Sequence, residues 1–136
     1  MKKNNNEILK KVNQWLAFGD DDLRLARHGL NLDSECPYRL IAYHAQQCVE
    51  KHLKAYLVFH GVDFPYTHNI SRLLELCDQN TSTNWVEELK EAEELTPFAI
   101  TTRYPGQDEE VAKDEAEKTV NVAEHVREVV RIALRK

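Results

Sequence analysis

Residues 36–61, CPYRLIAYHAQQCVEKHLKAYLVFHG, constrain the fold more than any other stretch of the chain. Pro37 suits a first helical position, where its missing N–H costs nothing, and Gly61 suits the residue that closes a helix. Apolar residues between them fall on two lines. One runs through Ile41, Ala45, Cys48, His52, Ala55 or Tyr56 and Phe59, the other through Ala42, Val49, Leu53 and Leu57. Two lines mean a helix buried on more than half its circumference, which is the central helix of a bundle. What remains is a polar seam of His44, Gln47, Lys51 and Lys54 at the helical spacing i, i+3, i+7, i+10. A helix with one polar seam and no other exposed face points to that seam as the site.

The rest of the chain supplies partners for this helix. Residues 1–6 read as a polar, frayed tail, and a long first helix is expected over 6–30. There Ile8, Val12, Leu16, Leu23, Ala26 and Leu30 keep a helical period, with Trp15 beside the stripe. Gly19 interrupts this helix at a cost of roughly 1 kcal/mol. Asp20, Asp21 and Asp22 read as a solvated face, from which Asp22 could reach sideways to a cation on the next helix. A short turn over 31–35 makes the first two helices antiparallel neighbours. Phe64-Pro65-Tyr66 reads as extended, because proline disfavours helix in the residue before it. Thr67 is the expected N-cap of a short helix carrying Ile70, Leu73, Leu74 and Cys77. A fourth helix is expected over 84–95, with Trp85, Leu89 and Ala92 inward. Residues 96–107, TPFAITTRYPGQ, hold two prolines and a glycine without a helical period, and so form a loop. A loop that long is uncommon unless it has a function. The last helix, 108–135, is amphipathic, and its acidic start and basic end suit the helix dipole. The fold expected is all-α, an up-and-down bundle of three long and two short helices, in a single domain over 7–136.

Charge and cysteine content narrow the function. A net charge of −5 argues against a general nucleic-acid coat, so an anion site must be a local pocket. No apolar run approaches the roughly 20 residues that span a bilayer, and the start lacks the apolar core of a signal peptide; a cytoplasmic protein without membrane contact is expected. The three cysteines, Cys36, Cys48 and Cys77, form no CxxC pair, and Cys48 reads as a small core residue. His44, His52, His60 and His68 step by eight but fall on different elements without adjacent carboxylates, so no metal site and no cofactor are indicated.

Several residues together resemble the HEPN family, small helical domains that accompany minimal nucleotidyltransferases. The matching residues are Trp15, Asp22-Leu23 and Ala26, then His44-Ala45-Gln46-Gln47, Glu50-Lys51 and Leu53-Lys54-Ala55. Thr67-His68, Ile70 and Leu73-Leu74 follow, then Arg103-Tyr104-Pro105. The resemblance implies a bundle that commonly forms a homodimer or higher homo-oligomer and that associates with nucleotides or RNA. It implies a partner, a small nucleotidyltransferase, in some cases as the two halves of a toxin–antitoxin pair. It also implies, in one branch, a metal-independent endoribonuclease carrying an Arg, four to six residues, then a His. Arg39 and His44 fit that spacing, although Leu40 stands where the pattern usually has a polar residue.

The chemistry of these residues has a structural reading beside each functional one: His44 as a bundle histidine hydrogen-bonded to a neighbouring helix, Arg39 as a surface cation at the helix start, Arg103 as a helix cap and Tyr104 as a plug at the end of the bundle. A ribonuclease without metal needs a base for the 2′-OH proton and a cation for the phosphate, roles that His and Arg fill. Arg39 and His44 point about 140° apart on a regular helix, so both could serve one phosphate only if the helix began after Arg39 or a second subunit supplied one of them. Lys51 and Lys54, one turn apart, are equipped to hold a phosphate, or else Lys51 pairs with an acid such as Asp22 while Lys54 is solvated. Glu50 reads as a structural ion-pair partner and His68 as part of a helix cap. Arg103 and Tyr104 offer a cation and a stacking ring beside a rigid proline. The expected binding site is therefore His44, Gln47, Lys51 and Lys54, with Arg103 and Tyr104 closing over it. Two alternatives stand beside it: an endoribonuclease using Arg39 and His44 across a dimer, and a structural subunit whose seam is an interface.

Overall fold

The computed structural model describes residues 5–100 and 110–135 of the chain. Its elements are α1 (Asn5–Gly29), α2 (Tyr38–Phe59), α3 (Ile70–Asn80), α4 (Trp85–Glu88), a 3-10 segment (Lys90–Ala99) and α5 (Lys113–Leu134). The described residues contain no strand. The all-α bundle expected from the apolar periods is the fold observed.

Helix α2 is central because its sequence leaves it no other place. Fourteen of its 22 residues are buried, and it packs against α1, α5, α3 and the 3-10 segment. Pro37 precedes the first turn and gives its carbonyl to Leu40 and Ile41. At the other end Gly61 takes φ +68°, and the N–H groups of Gly61 and Val62 bond to Val58 and Leu57. This pair of bonds is the Schellman closure, and its left-handed residue is the reason for glycine there.

Helix α1 lies antiparallel to α2. Gly19 is buried within it, and a Cβ added there would lie 2.7 Å from Nδ1 and 2.8 Å from Cε1 of His52. The missing side chain lets the two helices approach over an imidazole, so the glycine that weakens α1 in isolation fits it to α2. Residues 5 and 6, expected in the frayed tail, belong to the first turn of α1.

Three boundaries differ from expectation, each for a local reason. The N-cap of α3 is Asn69, not Thr67: the Asn69 side chain accepts from Arg72 N at 3.2 Å, while Thr67 Oγ1 accepts from Asn69 N and shapes the turn before it. The helix expected over 84–95 is a single α turn followed by 3-10 geometry. Leu89, Ala92 and Leu95 are all buried and stand three residues apart, a spacing that a three-residue turn aligns on one face and a 3.6-residue turn does not. Residues 96–99, expected in a loop, continue this segment. Helix α5 begins at Lys113 rather than 108, where Glu115 reaches back to the N–H of Ala112.

Candidate functional site

Antiparallel packing of α1 on α2 puts the polar seam of α2 under the acidic run of α1. The register pairs Gly29 with Ile41, Asp22 with His44 and Lys51, and Gly19 with His52. Asp20, Asp21 and Asp22 are therefore not one solvated face: only Asp21 is exposed, and its two neighbours turn in opposite directions into separate networks.

Asp22 holds the upper part of the seam. His44 donates from Nδ1 to its Oδ1 at 2.8 Å, and Lys51 donates from Nζ to its Oδ2 at 2.6 Å. The His44 and Lys51 side chains are 25% and 24% exposed, against 12% for Asp22, so one nearly buried carboxylate presents an imidazole and an ammonium to solvent. An Nδ1–H bond to a carboxylate fixes the ring and leaves Nε2 as the acceptor. His44 Nε2 has no hydrogen-bond partner among the described residues. The edge of the Tyr43 ring packs on the imidazole at 5.0 Å between centroids.

Glu50 holds the lower part. Lys54 donates to Oε1 at 2.7 Å, and Gln46 and His68 donate to Oε2 at 2.9 and 3.0 Å. Gln47 donates to Gln46 Oε1 at 2.7 Å, tying its amide to the same group. Burial raises the Glu50 pKa, but the bonds from Lys54, His68 and Gln46 outweigh it and hold the carboxyl below its ordinary range. Lys54 is not solvated. It is 6% exposed, and its ammonium lies 5.5 and 5.7 Å from the ring centres of Trp15 and Phe64. His68 caps nothing; it is a ligand of Glu50, brought in by the extended segment that Pro65 begins.

A third network is centred on Asp20, which accepts from Arg127 Nε at 2.7 Å and from Arg131 Nη2. Its Oδ1 is 3.4 Å from Nε2 of the fully buried His52, whose Nδ1 donates to the Cys48 carbonyl at 2.8 Å. Burial raises the Asp20 pKa, but the Arg127 bond and the Arg131 charge hold it below the usual carboxylate range. Burial also drives the His52 pKa down, and pushes the thiols of Cys48 and Cys77 up, that of Cys77 to about 12. Neither thiol is poised as a nucleophile.

The structure thus brings His44, Gln47, Lys51 and Lys54 onto one side of α2, and divides them. His44 and Lys51 reach solvent, whereas Gln47 and Lys54 are committed to Glu50. Arg39 is exposed on the first turn of α2. Because the helix begins at Tyr38, before Arg39, one chain does not turn Arg39 and His44 toward the same phosphate. Arg103 and Tyr104 lie outside the described residues. Sequence reasoning allowed for a hydrogen bond from His44 to a neighbouring helix but did not name Asp22 as its partner, and it missed the whole Asp20 network. The signal for both was the register: a short turn between two helices fixes which residues face one another, and the acids of α1 could have been read against the histidines of α2. Among the described residues no group of three or more His, Cys, Asp or Glu side chains is placed to hold a metal ion.

Comparison with known proteins adds a family and relatives. Residues 12–133 match the HEPN domain. The chain is 28% identical over 137 aligned positions, covering 90% of its length, to a Methanocaldococcus jannaschii protein named "Putative toxin MJ1304", of which 88% is covered. Two crystal structures share its fold. An archaeal HEPN homologue superimposes with a TM-score of 0.68 at 28% identity, over 88% of this chain and 94% of the other. A Thermus thermophilus protein does so with a TM-score of 0.74 at 27% identity, over 89% and 96%.

Proposed function

The chain belongs to the HEPN domain family, and from that premise we propose that it is the nucleotide- or RNA-binding member of a toxin–antitoxin pair whose other half is a small nucleotidyltransferase. The ligand is held by the outer ends of His44 and Lys51. The observation that carries this reading is the two-handed grip of Asp22: one nearly buried carboxylate fixes both groups side by side at the surface. Lys51 spends one of its three N–H donors on Asp22, so two remain for a phosphate, and His44 Nε2 remains for a sugar hydroxyl. Gln47, Lys54 and Glu50 act behind them, holding the helix face. The likeness to a relative named as a toxin supports the toxin–antitoxin setting.

The test is thermal unfolding with AMP, ATP or a short RNA oligonucleotide, since a ligand that binds only the folded state must stabilise it, by about 2.7 kcal/mol at a hundred times Kd. A rise in Tm is expected in the native protein and its loss in the Lys51→Ala, His44→Ala double variant. An equal rise in both removes the seam from the site.

A second reading has its own support. The Asp22 bond to His44 Nδ1 leaves Nε2 oriented as a base for a 2′-OH proton, the requirement of a metal-independent endoribonuclease. The phosphate cation is then Arg39 of a second copy. RNA incubated in chelator should be cut by the native protein and left whole by His44→Ala; RNA intact in both lanes disposes of this reading.

A further inference from the structure

Two buried side-chain atoms among the described residues lack a hydrogen-bond partner, Nε2 of His52 and Nε of Arg131, and both side chains gather on Asp20. The state of the first is fixed by chemistry. Nδ1 of His52 lies 2.8 Å from the Cys48 carbonyl oxygen, which can only accept, so the proton of the neutral ring is on Nδ1. Nε2 therefore turns a lone pair toward Asp20 Oδ1 at 3.4 Å, an acceptor facing an acceptor. The ring has nowhere to swing, since it is fully buried and lies against Gly19. The second orphan comes from a one-handed grip: Arg131 reaches Asp20 Oδ2 with Nη2 alone, while Arg127 Nε holds Oδ1 at 2.7 Å.

One proton resolves both. On Nε2 it turns the contact with Oδ1 into a charge-assisted donation, and Asp20 then carries three cations. This side of the molecule has no anion to spare, because Arg24, Arg27, Arg127 and Arg131 are already matched by Asp20, Asp21, Glu124 and Glu128. The charged and titratable groups that face the imidazole are Asp20 from α1, Arg127 and Arg131 from α5, and the Cys48 thiol of its own helix. One cation must therefore turn away. Arg127 is placed to do so: it shares Oδ1 with the imidazole, its side chain is 37% exposed, and it borders a cleft of about 350 Å³ lined also by Arg24, Arg27 and Asn31. Its departure frees Oδ1 for the Arg131 Nε–H, and a guanidinium that grips both carboxylate oxygens side-on leaves no orphan.

We propose that His52 is a proton-operated latch between α1 and α5: neutral, it leaves Asp20 to Arg127 and Arg131; protonated, it takes Oδ1 and turns Arg127 out into the cleft. The latch is separate from the His44–Lys51 seam and stands whatever the seam binds. Burial places proton uptake by His52 below the ordinary histidine range, and Asp20 stays ionised there, so the change belongs between about pH 6.5 and 4.5. Nitrogen-resolved NMR of the arginine and histidine side chains, followed from pH 8 to 5 in the full-length protein, tests it. The Arg127 Nε–H should lose its slow exchange with water at the midpoint where His52 takes up its proton. The Arg131 Nε–H should gain protection at the same midpoint, and far-UV circular dichroism should not change. In His52→Gln the Arg127 signal should be level over the whole range. Arg127→Ala gives a second measurement that leaves the core intact: it should lower Tm at pH 7.5 and have lost that effect at pH 5, whereas Arg131→Ala lowers Tm at both. The proposal is overturned if the His52 ring is still neutral at pH 5, or if Arg127 keeps its bond through the titration. It is overturned equally if Arg127→Ala lowers Tm by the same amount at both pH values.

Discussion

Gly19 and His52 meet across the α1–α2 interface, and the imidazole is held there by the Cys48 carbonyl. Because His52 cannot yield, Gly19→Ala should destabilise the protein by about 1–3 kcal/mol, the usual cost of overpacking a fitted core, although alanine is the better helix former. Equilibrium denaturation measures it; an unchanged midpoint would show that the contact relaxes freely. The same centre sets the response to acid. The folded-state pKa of His52 is depressed, and so, by burial alone, is that of His60. Below the ordinary histidine range near 6.5, the unfolded chain therefore takes up protons that the folded chain resists, and stability falls. Asp20 and Glu50 are also held below their ordinary range, so the stability that their ionised forms contribute is present above about pH 4.5 and is lost as pH falls further. Tm should be level from pH 8 to 7, decline below about 6.5, and drop again below about 4.5. His52→Gln should flatten the upper decline, leaving the part due to His60; an unaltered profile would remove His52 from the account.

At the scale of elements, α4 is too short to stand by itself and is held by a side chain from outside it. Asp78, near the end of α3, accepts from the N–H groups of Trp85 and Val86 at 2.8 and 2.9 Å and from the Thr83 hydroxyl at 2.6 Å. It does the work of an N-cap from seven residues upstream. Asp78→Ala should cost about 1–2 kcal/mol, at the upper end of measured caps, because it strands two backbone donors at once. Urea unfolding gives the number, and a loss below a few tenths would mean that water replaces the carboxylate fully. The short helix and the 3-10 segment after it show how far local pattern reaches. Trp85, Leu89 and Ala92 were legible as inward residues, but the turn that carried them inward was not. On a 3.6-residue helix Trp85, Leu89 and Ala92 lie within about 60° of one another and so read as α; Leu95, three residues further on, is the one that leaves that face.

At the scale of the molecule, α2 touches every major neighbour and carries more of the fully buried large side chains than any other element, so it has no route to exchange except global opening. Native-state hydrogen exchange should show the central α2 amides as the most protected, with α4 and the 3-10 segment opening at lower free energy. Comparable protection in the 3-10 segment would contradict a fold built around one helix. The polar networks are also a molecular property. Asp20 joins α1 to α5, Asp22 joins α1 to α2, and Glu50 joins α2 to the segment before α3, so each carboxylate pins the bundle in register where apolar packing alone allows sliding.

What the sequence determined by itself was the all-α bundle, the central place of α2, the side of that helix on which His44, Gln47, Lys51 and Lys54 lie, and the resemblance to the family. All of these follow from periodicity and residue type, which are properties of single helices. Which seam residues reach solvent, which acid holds each of them, and why a glycine sits in the middle of α1 were decided only when α1, α2 and α5 packed. The reason is that an interhelical hydrogen bond of 2.6 to 2.8 Å depends on the offset between two helices to a fraction of a turn. A hydrophobic stripe tolerates that offset; Asp22 between His44 and Lys51 does not.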